Sequence, residues 1–386
     1  MLSPQTLEIP PHPTILFAQH ASTRLPEQVR RLGKPRAFIV TDRGVARSGI
    51  LDRIAEVLAA DDLPVSVFDG VEPNPTTDNI AAGSAALRAV GDAAVVAVGG
   101  GSAMDTAKGI ALHATNDVPV AELDYRNAPQ QPGLPIVAVP TTAGTGSETN
   151  TFGVITNPEL HRKFYVGHAS VQPRVAILDP NLTLGLPPRP TAAAGIDAFT
   201  HALEALASRH ANPYADGIAL QVIRMVATWL PKAVADGSDT EARSQMLLAA
   251  HLAGLAFRTT GLGICHGLGH PLGARLGAAH GLTLAIMLPH IMRFNLPVRA
   301  DKYAQVAFAM GVGDTRRSEA ENAQAAIDAV RRLTAAVGTD RSLRDIGCTE
   351  ELLPTLVTDA LEDEVMASTP RFPTGDEVKE LLLAAL

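Results

Sequence analysis

Six small apolar residues, Ala93 to Val98, run directly into Gly99, Gly100, Gly101 and Ser102 and then into an alanine-rich helical segment. An apolar run that short, rich in valine and without polar alternation, fits a strand buried on both faces, the kind found in parallel sheets covered by helices. The chain around it repeats the same order. PTILFA (residues 13–18) reads as an opening strand, and LPEQVRRLG as a helix ending at Gly33, which suits a left-handed cap. AFIVTD (Ala37 to Asp42) reads as a strand that stops at an acid, GILDRIAEVLAA as a helix, and PVSVFDG as the next strand. A helix from about Thr77 to Val90 leads into the glycine run, and PIVAVP (Pro135 to Pro140) ends at a second small polar loop, TTAGTGSETN. VITN, KFYV and VAILDP read as strands that close this half. The alternation argues an α/β N-terminal domain with a mostly parallel sheet covered on both faces.

From about Pro188 the strand signals stop. Long alanine- and leucine-rich periodic segments follow to the C-terminus, among them ADGIALQVIRMVATWL, RSQMLLAAHLAGLAFR and AENAQAAIDAVRRLTAAVG. They imply an all-α C-terminal domain. The proline-rich stretch PNLTLGLPPRP sets the expected division into 1–187 and 188–386, and 386 residues suffice for two domains with real cores.

A net charge of −8, with 4% aromatics and no basic stripe, argues against a nucleic-acid partner. Cys265 and Cys348, the two cysteines, cannot form a disulfide framework, which fits a reducing cytoplasm. The start, MLSPQTLEIPPHP, lacks a charged region followed by an apolar run, and no window approaches eighteen uninterrupted apolar residues. The expectation is a cytoplasmic protein with no targeting segment and no membrane partner.

Three of the twelve histidines, His266, His270 and His280, fall inside GLGICHGLGHPLGARLGAAH among small apolar residues. His266 and His270 are four apart and share a helix face. A neutral core histidine bonded to a backbone carbonyl is the plain alternative for either. A second pair, Asp197 and His201 in GIDAFTHALEA, is also four apart on an alanine-lined segment. Burying a carboxylate and an imidazole there costs several kcal/mol unless something compensates them, and a divalent cation compensates both. One oxygen and up to three nitrogens from two helices make a set that suits zinc or ferrous iron better than calcium or magnesium. Cys265 adjoins His266, but neighbouring helical residues point about 100° apart, so it stays outside the shell.

The glycines after Val98 let backbone N–H groups approach a ligand, and the helix that follows favours a phosphate at its N-terminus. The Rossmann fingerprint would place glycine at 104, where Met104 stands, and no P-loop lysine follows; a tight strand-to-helix turn is the alternative. Thr141, Thr142, Thr145 and Ser147 follow another parallel strand, so both loops should emerge at the carboxyl edge, where open α/β sheets bind ligands. Asp42 also ends a strand. There it could bind ribose hydroxyls and repel a 2′-phosphate, favouring NAD over NADP, or it could be an ordinary loop acid. A dinucleotide site in one domain and a metal shell in the other imply an active site in the cleft between them, an arrangement suited to hydride transfer.

GGGSAMDTAK, PTTAGTGSE, GIDAFTHALE and GLGICHGLGHPLGARLGAAHG, in this order over nearly the whole chain, resemble the iron-containing (group III) alcohol dehydrogenase family, in the branch with lactaldehyde:propanediol oxidoreductase and 1,3-propanediol dehydrogenase. The resemblance implies metal ligation by Asp197, His201, His266 and His280, with ferrous iron expected and zinc as the alternative. It places His270 near the reacting carbon as a catalytic residue that is not a ligand. It puts Gly99, Gly100, Gly101 and Ser102 on the pyrophosphate of NAD, Thr141, Thr142 and Thr145 around the nicotinamide half, Lys163 on a ribose and Asp42 on the adenosine ribose. Asn74 and Leu182 match positions lining the cofactor cleft. The implied activity is hydride transfer between a small primary alcohol, or its aldehyde, and NAD, by a homodimer or larger homo-oligomer. Two departures stand out: the N-terminal turn, often glycine-rich in the family, reads AQHAS, and Phe152 takes a place that is polar in some relatives. The rival readings are an NAD- and metal-dependent lyase or cyclase of the dehydroquinate synthase type, which would need more basic residues around a phosphorylated substrate, and a non-catalytic metal or nucleotide sensor.

Overall fold

The computed structural model describes residues 7–159 and 162–386, so the first six residues of the stretch read for a leader lie outside them. The chain divides into two compact units, His12–Leu186 and Pro187–Leu386, the described residues before His12 belonging with the second.

In the first unit the strands β1 (Thr14–Phe17), β2 (Ala37–Asp42), β3 (Val65–Val71), β4 (Ala94–Gly99), β5 (Ile136–Pro140) and β8 (Val175–Leu178) form one sheet in the order β1-β8-β5-β4-β2-β3. Every pairing in it is parallel. The helices are α1 (Leu25–Arg31), α2 (Arg43–Arg47), α3 (Ile50–Ala59), α4 (Thr77–Val90) and α5 (Gly101–His113). Along β4, Val95 and Ala97 face one apolar layer with Ile80 and Leu87 of α4 and Ile110 of α5. Ala94, Val96 and Val98 face the other, with Val29 of α1 and Ile54 and Leu58 of α3. This period of two, apolar on both sides, is why the strand reads as an unbroken hydrophobic run. Helices α2 and α3, which follow β2, lie on one face, and α5, which follows β4, lies on the other. The crossover direction therefore reverses between β2 and β4, the place where such sheets open a crevice at their carboxyl ends.

The three closing runs are strands, as expected, but they divide between two sheets. VITN and KFYV belong to β6 (Phe152–Asn157) and β7 (Arg162–Gly167), which pair antiparallel with each other in a separate two-stranded sheet, with single bridges from Thr156 to Thr76 and from Val166 to Asp124. Of the three closing runs, only VAILDP joins the sheet, between β1 and β5. The hairpin is pinned to α5 instead: Asp105 accepts the Val154 N–H at 3.0 Å, and a side chain on Gly153 would strike the Asp105 backbone, its β-carbon 2.6 Å from the carbonyl oxygen.

The N-terminal turn is closed by a carboxylate. His20 holds φ 61°, a conformation that costs a non-glycine residue about 1–3 kcal/mol. Buried Asp179, at the end of β8, accepts the N–H of His20 at 3.0 Å, the N–H of Ser22 at 3.2 Å and the Ser22 hydroxyl at 2.6 Å.

The second unit is helical: α6 (Pro188–Ala207), α7 (Pro213–Ala235), α8 (Thr240–Thr260), α9 (Ile264–Leu276), α10 (His280–Ala309), α11 (Glu319–Ala336), α12 (Leu353–Leu361) and α13 (Gly375–Ala385). Helix α6 packs against α7, α8 and α10. Its C-terminus is capped by Arg299, at a break in α10, whose guanidinium donates to the carbonyl oxygens of Ala207 at 2.7 Å and Ser208 at 3.3 Å. Helix α7 has the length and apolar composition of a membrane span, but Ala215, Ala219, Val222, Val226, Leu230 and Ala233 recur at helical spacing and are buried within the unit.

Lys108 of α5, 1% exposed, fastens the loop after β5. It donates to Ser147 Oγ at 2.6 Å, to Asn150 Oδ1 and to the Phe152 carbonyl at 2.7 Å, while the Ser147 hydroxyl donates to Asp105 at 2.6 Å. Burial brings the lysine down to about 8 against the opposing pull of Asp105 and Glu148. The unfolded chain, with an ordinary lysine at 10.5, therefore binds more protons between those values, and the folded state gains stability as pH rises through that window. Lys108→Met should lower the thermal midpoint at pH 7, because three acceptors lose their donor. Its deficit against wild type should widen by about 3 kcal/mol as pH rises from 8 to 10.5, since stability changes by about 1.4 kcal/mol for every pH unit between the folded and unfolded values. A pH-independent deficit would show that Lys108 does not titrate there.

Candidate functional site

Three helices of the second unit bring the metal candidates together, one more than the sequence expectation supposed. Asp197 and His201 lie one turn apart on α6, His266 and His270 one turn apart on α9, and His280 is the first residue of α10. The centre is Asp197 Oδ1. The Nε2 atoms of His266, His201 and His280 stand 3.4, 3.6 and 3.7 Å from it. The rings of His201 and His266 stack at 4.5 Å, and Phe257 of α8 covers His201 at 4.7 Å. Asp197, His201 and His266 are buried, while the His280 side chain is 34% exposed.

Asp197 Oδ1 and His266 Nε2 are buried and have no hydrogen-bond partner, although they face each other. Burial works against ionising Asp197, but His201, His266 and His280 outweigh it and hold the carboxyl well below the usual range. Burial likewise works against charging His266, and the Glu204 and Asp197 carboxylates outweigh it, pushing the imidazole up to about 9. The site is built to hold positive charge. Asp197, His201 and His266 bring one ligand atom each within 4.8 Å of one another, a mixed oxygen and nitrogen set that fits ferrous iron or zinc; His280 lies outside that group, with its Nε2 3.7 Å from Asp197 Oδ1.

His270 turns away from Asp197. Its Nδ1 meets Asp363 Oδ2 at 2.7 Å, and its ring stacks on His280 at 5.4 Å. Cys265 stays out of the cluster, as helix geometry predicts: its thiol reaches the Leu284 carbonyl at 3.7 Å, and burial, then Glu204 and Asp197, push its pKa far up. Sequence reasoning missed two residues. Glu204, which bonds His266 Nδ1 at 2.6 Å, was legible, because Asp197, His201 and Glu204 are spaced four and three apart on one helix face. Asp363 carried no such signal, lying 93 residues from His270.

In the first unit Asp42, the three glycines, Thr142 and Thr145 come together where β2, β4 and β5 end. A β-carbon on Gly99 would lie 3.6 Å from Asp42 Oδ2, one on Gly100 3.1 Å from Thr142 Oγ1, and one on Gly101 2.6 Å from Thr145 Cγ2. Gly99 also takes φ 152°. Asp42 uses Oδ1 to cap α2 through the N–H groups of Gly44 and Val45, at 2.7 and 2.9 Å. Helix α5 has Gly100 as its N-cap and no side-chain cap. Ser102 donates its hydroxyl to the Pro73 carbonyl at 2.7 Å, which draws the Asn74 loop to the glycine turn. Thr141 continues the strand pairing through its N–H to Gly99 O at 2.9 Å. Lys163 sits on β7 opposite Thr156, whose N–H bonds the Pro75 carbonyl at 2.8 Å. Leu182 follows β8, and its side chain is buried in the apolar layer of α1 and α3. Phe152 packs edge-on against Tyr165 at 5.4 Å and lies 6.4 Å from Tyr125.

A parallel sheet in one unit and a histidine–carboxylate cluster that could hold a metal ion in the other are the parts found, and the comparisons with known proteins give the class, an oxidoreductase. The profile "Iron-containing alcohol dehydrogenase" matches residues 11–180, and "Fe-containing alcohol dehydrogenase family, C-terminal" matches residues 191–386. The chain is 39% identical to 1,3-propanediol dehydrogenase of Klebsiella pneumoniae over 371 residues, 96% of each chain. It is 36% identical to lactaldehyde reductase of Escherichia coli over 370 residues, 95% of this chain and 96% of that one. The solved structure of a 1,3-propanediol oxidoreductase superposes with a TM-score of 0.96 at 38% identity, covering 99% of this chain and all of that one. The chain belongs to the iron-containing alcohol dehydrogenase family. It is an oxidoreductase that interconverts alcohols and aldehydes, which sets aside the cyclase and sensor readings.

The start of α10 depends on one glycine. A β-carbon on Gly281 would overlap the Ala193 carbonyl oxygen of α6, so the two helices touch backbone to backbone beside His280. Gly281→Ala should cost about 1–3 kcal/mol and lower the thermal midpoint by a few degrees. An unchanged midpoint would mean that α10 does not start in this contact.

Proposed function

We propose that this enzyme transfers a hydride between a small primary alcohol, or its aldehyde, and NAD, with Asp197, His201, His266 and His280 holding one divalent ion, ferrous iron before zinc. The observation that carries the reading is the pair of buried, unsatisfied atoms, Asp197 Oδ1 and His266 Nε2, with two further imidazole nitrogens within 3.7 Å of the same oxygen. Such a pair is costly in any state that does not place a cation there. When bound, the cation supplies Lewis acidity toward the substrate oxygen and NAD supplies the redox chemistry.

The remaining roles belong to the chain. His270, with Nδ1 held by Asp363, keeps Nε2 as the nitrogen that can take a proton from the alcohol and pass it toward solvent. The uncapped N-terminus of α5 receives the pyrophosphate, with Gly99, Gly100 and Gly101 letting it approach the backbone. Asp42, fixed by its helix cap, leaves Oδ2 for ribose hydroxyls and opposes a 2′-phosphate, hence NAD rather than NADP. Thr141, Thr142 and Thr145 follow β5, the next strand over, on the nicotinamide side. Residues 1–187 then serve the nucleotide and 188–386 the metal. Two buried free cysteines support a cytoplasmic location, and the exposed Val67 on edge strand β3 supports a homodimer or larger assembly.

The test is a reduced-cofactor absorbance assay with a panel of short primary alcohols, NAD or NADP, and ferrous or zinc salt. Turnover with NAD should exceed that with NADP at least tenfold. His266→Ala should abolish activity and bound metal together, while His270→Ala should keep the metal and lose activity. Full metal content in His266→Ala would remove it from the shell.

A further inference from the structure

The proposed reaction leaves Glu204 without a role, yet this carboxylate beside the metal candidates accepts three hydrogen bonds. It is buried on α6, at 6% exposure, one turn beyond His201. Oε1 accepts the Cys265 N–H at 2.7 Å, and Oε2 accepts the Gly263 N–H at 3.1 Å and the His266 Nδ1–H at 2.6 Å. The two backbone bonds go to the start of α9, whose N-cap, Gly263, has no side chain to offer. Glu204 therefore caps, from another helix, the helix that carries His266 and His270.

The third bond does something a cap does not need. An ionised carboxylate only accepts, so the imidazole nitrogen facing it must carry hydrogen. That leaves Nε2, 3.4 Å from Asp197 Oδ1, as the ring's lone-pair donor. We infer that Glu204 is a positioning residue of the metal centre: it fixes His266 as the Nδ1–H tautomer and supplies the second of two negative charges that balance a divalent ion. The inference rests on His266 being a ligand. With three neutral imidazoles and a neutral Cys265 thiol, Asp197 and Glu204 together offset +2, which is the charge of the ions the donor set favours. Carboxylate partners of this kind orient ligating histidines and raise their basicity.

Glu204→Gln keeps half of the cap and removes the acceptor for the ring. The amide oxygen still accepts the Cys265 N–H, but the NH₂ in the place of Oε2 confronts both the Gly263 N–H and His266 Nδ1, where two donors cannot meet, and the ring is driven to carry its hydrogen on Nε2. Metal-free wild type, Glu204→Gln and His266→Ala would be titrated anaerobically with Co(II), reading the visible ligand-field bands, and their thermal midpoints compared without metal. The expected result is one Co(II) per wild-type chain, and affinity weakened about 10–100-fold in Glu204→Gln, with altered bands but a metal-free midpoint within a few degrees of wild type. Wild-type affinity and bands in Glu204→Gln would overturn the inference. Absence of Co(II) uptake by the wild type itself would instead overturn the ligand assignment beneath it. Should Glu204→Gln fail to fold, ¹⁵N-histidine spectra of the zinc-loaded wild type decide: hydrogen on His266 Nδ1 supports the inference, and hydrogen on Nε2 overturns it.

Discussion

A carboxylate that is 3% exposed on an alanine-rich helix is the constraint from which the second unit follows. Left alone, Asp197 would cost several kcal/mol of desolvation, and among the described residues no arginine or lysine pairs with it. Three imidazoles surround it instead, each with a nitrogen within 3.7 Å of the same oxygen. The helices are arranged to make that possible. Gly281 lets α10 begin against the α6 backbone, Gly269 lies under Leu284 and Thr283, and the Thr283 hydroxyl bonds the His280 carbonyl at 2.7 Å. Small residues recur in this stretch because side chains would push the nitrogens apart.

The first unit obeys the same logic with a different charge. Asp42, the glycine turn and the threonine loop follow β2, β4 and β5, which are neighbours in the sheet, so an elongated ligand lying along that edge would meet them in turn. The glycines are there because Ala103, Thr142 and Thr145 crowd against them, which leaves the backbone of the turn as the accessible surface. Lys108 stabilises this loop from below by holding Ser147 and Asn150, and the Asp105–Val154 bond seats the hairpin on the same helix.

Much of this was written in the chain at short range. The run Ala93–Val98 became β4 because each of its residues is buried in one or other of two apolar layers, and the four-residue spacings of Asp197/His201 and His266/His270 became shared helix faces. What short-range signals did not carry was long-range pairing. VITN and KFYV have the composition of sheet strands, but nothing local says that they pair with each other and sit on α5. The closure of AQHAS by Asp179 joins residues 157 or more positions apart, and the Asp363–His270 bond spans 93. Glu204 is the instructive case, since its spacing from His201 was visible and only its acceptor geometry was hidden.

The central claim is that one oxygen and three imidazole nitrogens gather on a single ion. X-ray absorption at the iron or zinc edge of the reconstituted protein measures this most directly. The account predicts light-atom scatterers at about 2.0–2.2 Å, outer-shell features of three imidazoles and no sulfur. A scatterer at about 2.3 Å, the distance of a thiolate such as Cys265, or a shell with fewer than three imidazoles, would contradict it.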